Sequence, residues 1–403
     1  MDSPMRPFLL LPLAAVVTLA AAPAPAPAPF LAPAKPDARK RDAADDAIDR
    51  GLDFLRTAQS KDGSWGNPGA AVWGGGGIGR PAQPGRTPGD IAITSLAVMA
   101  FLSAGHVPGE GHYGPVVENG IDWVLAQQQP DGRLAPSTLP GSTMEMYYHG
   151  IATLMLAEVV GLTRQSTADK LKAALERAVT VILAGQRKAG GAGGASAAGG
   201  WRYMVSTTGG FAATSDLSVT GWQLMALRSA KNVGCDVPAK AITDAVEYVK
   251  RSFDTAGPTK GGFRYEPNGA VTIPCTAVGV LCLELSGKEQ HLCDEALHGG
   301  AYLLKHPLKT GDGNLSYGVY YVSQALFQLG GNYWETYRPK LHDLLLRQAP
   351  PNANGGWSNL GIDGQTHGSA YSTAMAVLSL TVEYRFLPIY QRFEEPLERD
   401  GRE

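Results

Sequence analysis

The residues of this chain best suited to chemistry are acids and phenols at the polar heads of otherwise apolar stretches. Asp216 stands at the start of SDLSVTGWQLMALRSAK (Ser215 to Lys231), and Asp90 stands ahead of IAITSLAVMAFLSAGH. Glu145, Tyr147, Tyr148 and His149 crowd the head of another such stretch. Cys275, then Tyr317, Tyr320 and Tyr321, then Tyr371 mark three more. A histidine and a carboxylate can work as an acid/base pair where they meet across a cavity, which makes His149 and Asp216 the catalytic candidates. Asp90, Glu145, Tyr147, Tyr148, Trp222, Cys275, Tyr317, Tyr320, Tyr321 and Tyr371 are the ligand-binding candidates. Tyrosines around an apolar channel suit a ligand with a hydrophobic body and a polar end, or a cation. Each candidate also has a plainer reading. Asp90 and Asp216 are good helix caps, His149 a hydrogen-bonded core histidine, and Trp222 and the tyrosines ring filling. The Cys and His spacings match no zinc site, so neither a metal nor a cofactor is expected.

These heads need elements that bring them together. A helix that is apolar all round must be buried, whereas an amphipathic one faces water on one side. The two kinds alternate along the chain. Amphipathic segments 42–58, 113–129, 167–186, 238–253, 289–304 and 333–347 each precede a glycine-rich turn and a nearly all-apolar helix. Six such units, recurring at roughly 45 to 70 residues, point to an internal repeat. Twelve alternating helices are best satisfied by two concentric rings, apolar inside and amphipathic outside: an all-α (α/α)6 toroid. The inner helices then present their N-termini at one end, where unpaired N–H groups favour an anion or a polar headgroup. The Gly-rich segment 189–200 lacks the G-K-[ST] ending of a phosphate loop.

The turns carry a resemblance. Gln59-Ser60-Lys61-Asp62-Gly63-Ser64-Trp65 resembles the Gln-Trp repeat of squalene and terpene cyclases. Gln127 to Gly132, Gln186 with Gly200-Trp201, and Gln348 with Gly356-Trp357 look like weaker copies, and the turns also resemble those of protein prenyltransferase β subunits. The resemblance implies an α/α toroid and an isoprenoid-like or other hydrophobic ligand in its centre. It does not carry the family's chemistry over intact. Against the D-x-D-D-T-A motif of class II cyclases, Asp216 and Thr220 match, but Ser218 and Val219 replace the two later acids. Pro274-Cys275-Thr276-Ala277 echoes D-C-T-A without its acid, and the D-x-C of the zinc-dependent prenyltransferases has no counterpart.

The domain reading is 1–22 signal peptide, 23–41 Pro/Ala-rich linker, 42–386 single toroid and 387–403 charged tail. Arg6, the apolar run Phe8 to Ala20 and Ala20-Ala21-Ala22 form the signal pattern. The run is shorter than the ~20 residues of a bilayer span, so the protein is expected to be exported, periplasmic or extracellular, without a transmembrane span. A formal net charge of -2 leaves no footprint for nucleic acid. Four cysteines in an exported protein leave two readings open: a bridge among Cys235, Cys282 and Cys293, or four reduced buried thiols. Three functions remain in view: a hydrophobic-ligand toroid, a scaffold with protein partners, and a carbohydrate-active enzyme using Asp90, Glu145 or Asp216. The last would need paired carboxylates ~5 to 10 Å apart in a wet groove.

Overall fold

The computed structural model describes residues 41–67, 90–135, 144–163, 165–206, 210–358 and 360–391. The expected signal peptide, all but the last residue of the linker, and residues 392–403 lie outside them. Among these residues, six helices are buried nearly all round: α2 (Ile91–Ser103), α4 (Glu145–Leu162), α7 (Leu217–Asn232), α9 (Ile273–Glu284), α11 (Leu315–Leu329) and α14 (Ser369–Leu380). Six are amphipathic: α1 (Ala43–Ala58), α3 (Gly114–Ala126), α5 (Gln165–Gly185), α8 (Ala239–Arg251), α10 (Asp294–Lys305) and α12 (Gly331–Asp343). Two short helices, α6 (Gly194–Ala197) and α13 (Gly361–His367), sit in connections. All of α2 is buried. In α8, Ala241, Ile242, Ala245, Val246 and Val249 face inward while Lys240, Thr243 and Glu247 face water.

The apolar helices pack in the cycle α2–α4–α7–α9–α11–α14, and α14 returns to α2. The amphipathic helices cover this ring from outside, with α1 lying on α14 and α2, at the point where the ring closes. The chain is therefore an all-α toroid of alternating outer and inner helices. Among the described residues, extended pairing is confined to isolated bridges such as Trp201 with Asp216.

A repeated set of bonds holds each turn. The N–H of the turn aromatic donates to a threonine one turn into the next inner helix: Trp65 to Thr94, Trp201 to Thr220, Phe263 to Thr276 and Trp357 to Thr373, all at 2.9–3.0 Å. The indole N–H groups of Trp65, Trp201 and Trp357 return to carbonyls of Leu55, Ile182 and Leu345 at the end of the preceding outer segment. Gln59, Gln128 and Gln186 each donate both to their own turn and to the next outer segment, at Val116, Ala174 and Ala241. The turn glycines are sterically required. Gly199 has φ 84°, and a Cβ there would lie 1.9 Å from the Asp244 carbonyl oxygen.

One expectation changes, and one open pair of readings is decided. The folded body runs past residue 386: Leu387, Ile389 and Tyr390 are buried, with Pro388–Tyr390 in a 3₁₀ turn. The charge begins only after this strap, which is why composition placed the boundary too early. The cysteines are all free thiols, and burial pushes Cys275 and Cys282 up to about 12, so they are inert.

Candidate functional site

The inner helices bring their N-terminal heads to one end, and there Asp216 is the best-held acid. It is the N-cap of α7, with one carboxylate oxygen accepting from the Val219 N–H at 2.9 Å and the Ser218 hydroxyl at 2.6 Å. The other oxygen accepts from Arg202 Nη1 at 3.3 Å. Asp216 has no exposed surface. Burial pushes its carboxyl up to about 6, opposed by the Ser218 bond, the Arg202 charge and the Val219 amide. Arg202 also binds Glu266 at 2.7 Å and lies over the rings of Tyr203 and Tyr265, at 5.0 and 5.4 Å. Burial works against its cation; Asp216, Tyr265 and Glu266 outweigh that and hold its pKa above the ordinary value.

A hydroxyl chain runs from this acid to the ring centre. The Ser218 hydroxyl donates its one proton to Asp216, so the Tyr147 hydroxyl bonded to Ser218 must be the donor in that contact. Tyr147 lines the central cavity with Trp222, Tyr317 and Tyr371, among Ile93, Leu96, Ile151 and Met375. The cavity measures about 10 Å³, roughly the room of one water.

The remaining candidates divide. Asp90 caps α2 through Ile93 N–H at 2.9 Å, and burial pushes it up to about 6. Glu145 binds Arg133 Nη1 at 2.5 Å and the Val205 amide at 3.2 Å. Tyr148 is buried, and burial, followed by the Asp90 charge, raises its pKa. Tyr317 and Tyr371 both belong to the centre: Tyr317 reaches the Ser218 carbonyl at 3.4 Å, and Tyr371 donates to Asp363 at 3.4 Å. Cys275 is a capped, buried thiol at the head of α9.

Three expectations fail on geometry. His149 does not meet Asp216. Its Nδ1 accepts the Leu134 amide at 3.1 Å and its Nε2 donates to the Ala178 carbonyl at 2.9 Å, so it ties α4 to the outer layer. Burial pushes it down to about 4, keeping it neutral. Tyr320 turns away from the head and bonds Tyr390 of the strap at 2.6 Å. Tyr321 packs edge-on against Trp222, at 5.3 Å, as filling of the ring. Asp90 and Asp216 cap α2 and α7, and Glu145 and Asp216 are in ion pairs.

Sequence reasoning missed Arg202, Ser218 as a relay, and Asp363. The first had a signal, since Trp201-Arg202-Tyr203 and Phe263-Arg264-Tyr265 repeat an Arg-Tyr pair after the turn aromatic. Asp363 had none. It lies on α13 yet caps α11, accepting the Ser316 and Tyr317 amides at 3.3 and 2.9 Å. Among the described residues no cluster of His, Cys, Asp and Glu could hold a metal, and no helix is long and apolar enough to cross a membrane.

The comparisons agree with the fold. The squalene-hopene cyclase C-terminal domain family matches residues 35–151. No curated protein matches the chain. Among solved structures, the type II terpene cyclase MstE from Scytonema is similar, with 15% identity and a TM-score of 0.53, covering 85% of this chain and 98% of that one. An inactive α-1,6-mannanase variant of Salegentibacter sp. HEL1_6, bound to α-1,6-mannotriose, has 8% identity and a TM-score of 0.60, covering 85% and 99%. The unsaturated glucuronyl hydrolase of Bacillus sp. GL1 has 10% identity and a TM-score of 0.57, covering 87% and 100%. At these identities the structural likenesses show the toroid fold, and the resemblance to the terpenoid cyclase-like superfamily stands on the family match together with MstE.

Proposed function

We propose that this exported toroid holds a hydrophobic small molecule with a hydroxyl head at its aromatic centre, and does not start a proton-driven cyclisation. The observation that carries this reading is the cavity wall. Tyr147, Trp222, Tyr317 and Tyr371 stand in it among aliphatic side chains, an apolar body with a few polar tips. The Tyr147 hydroxyl, bonded to Ser218, is one of those polar tips. Proton-driven cyclisation needs an acid aimed into the cavity. Ser218 stands where the resemblance calls for that acid, and Asp216 is occupied as cap and ion-pair partner. A cavity of about 10 Å³ admits an isoprenoid-sized body only if its tyrosines turn aside.

Native mass spectrometry of the purified protein, exposed first to a bacterial lipid extract and then to geranylgeraniol or its methyl ether, tests the reading. Retention of the alcohol over the ether is expected, with that preference lost in Tyr147→Phe. Retention of no lipid at all would overturn it. The filled centre favours a second reading, a rigid scaffold that engages a protein partner on its outer face, and absence of any retained lipid is its expected result.

A further inference from the structure

The opposite end of the ring carries a larger cavity that none of the chemistry above uses. It measures about 450 Å³, within the ordinary range of small-molecule sites. Arg228 and Asn232 of α7 line it, with Leu285 just beyond α9, Gln328 of α11 and the strap residues Ile389 and Tyr390. Arg228 is half-buried there and makes no hydrogen bond or ion pair among the described residues; its Nε is fully buried without a partner. An arginine in the last turns of a helix complements the dipole. That alone leaves the planar fork of donors unfilled, and a fork of this kind matches a carboxylate with two parallel bonds. Burial lowers its pKa, and no neighbouring acid acts against that.

The charged groups facing the cavity define what it would take. Glu284 is bonded by His291 Nδ1 at 2.5 Å and the Leu292 amide at 2.9 Å, and among the described residues it makes no ion pair with Arg228. Lys288 stands exposed at the rim. Arg228, without a partner among the described residues, suits a single negative charge, and the wall of Leu285, Ile389 and Tyr390 suits an apolar body.

We infer that this cavity is a binding site for a small amphiphilic carboxylate, with Arg228 gripping the carboxylate and the strap covering the apolar chain. The site is independent of the central cavity.

Isothermal titration calorimetry of the purified protein with decanoate, decanol and decyl phosphate is the test. Decanoate is expected to bind at least tenfold tighter than decanol, and Arg228→Met to lose at least tenfold of that affinity while keeping decanol binding within twofold. The thermal midpoint of unliganded Arg228→Met should equal or exceed that of the wild type, since an unpartnered half-buried cation is removed. Equal binding of decanol and decanoate, an unchanged affinity in Arg228→Met, or no decanoate binding at millimolar concentration would overturn the site. Tighter binding of decyl phosphate than of decanoate would overturn the assignment to carboxylates. Tyr317→Ala, which alters the central cavity, should leave decanoate affinity unchanged; a parallel loss there would place the ligand in the centre and overturn the proposal.

Discussion

Asp216, a catalytic candidate in the sequence, is held in three dimensions as a helix cap and the partner of a buried arginine. Its cap is one of a series. Asp90 caps α2 and Thr272 caps α9 in the same register, each four residues ahead of the threonine that holds the turn aromatic. The distinguishing feature at α7 is Arg202. Asp216→Ala removes a cap of about 1 kcal/mol and breaks a buried ion pair, a loss on the order of 3 kcal/mol or more. Asp216→Asn keeps an oxygen for the cap and should cost roughly half as much. Urea denaturation of the two variants measures the difference, and an alanine variant within ~1 kcal/mol of wild type would show the pair to be worthless. The acid was legible at this scale because a polar residue ahead of an apolar run is unmistakable. Arg202 escaped notice because it lies in the turn, fourteen positions ahead, and only the fold brings it to Asp216. His149 misled for the converse reason: a histidine on an all-apolar helix says nothing about which neighbour its two nitrogens face.

Between elements, the recurring threonine does more than the recurring acid. Thr94, Thr220, Thr276 and Thr373 each accept the N–H of a turn aromatic, so an inner helix is tied to the turn that feeds it. Thr220→Val keeps the shape and leaves the buried Trp201 N–H without an acceptor. The expected cost is about 1–3 kcal/mol by urea denaturation; a change within ~0.5 kcal/mol would mean the stitch contributes nothing. The threonine in Asp216-Leu217-Ser218-Val219-Thr220, which resembles part of a catalytic motif, is thus accounted for by the fold. The glutamine copies were only partly placed by sequence. Gln59 and Gln186 reach the next outer segment as their spacing suggests. In the second unit Gln128 rather than Gln127 makes that reach, and Gln348 bonds Asp343 of its own segment. A run of three glutamines gives no hint of which one points at the neighbouring helix.

The whole molecule is closed twice, once sideways and once from below. Sideways, the Thr381 hydroxyl donates to Ser103 at 2.8 Å where α14 meets α2, and Tyr384 donates to Asp45 of α1. Below, Glu158 of α4 accepts from Ser229 of α7 and from the Ile389 amide of the strap. Burial pushes Glu158 up to about 7, opposed by those two bonds. The unfolded chain releases this proton near 4.5, the folded chain near 7. Between those values the folded state binds more protons, so the contribution of Glu158 to stability is full below about 4.5 and declines as pH rises through 7. The decline is on the order of 3 kcal/mol. Glu158→Gln should remove it, and the difference between the two stability–pH curves measures it free of His149, whose depressed pKa acts in the opposite direction over an overlapping range. Parallel curves would show that Glu158 does not titrate with folding.

The alternation of apolar and amphipathic helices, the glycine-aromatic turns and the capping acids are local patterns, and by themselves they determined an α/α toroid whose inner helices share a head. Periodicity settles which face is buried, and an all-apolar helix has no solution except an interior. What faces what across that interior was decided by tertiary structure alone. It turned His149 outward, joined Arg202 to Asp216 and Tyr147 to Ser218, and brought Asp363 to the head of a helix it does not belong to. It also folded residues 387–390 under the ring, leaving Arg228 facing a cavity. Hydrogen bonds and ion pairs are short-range and directional, so they depend on which residues meet, and that depends on the ring having closed.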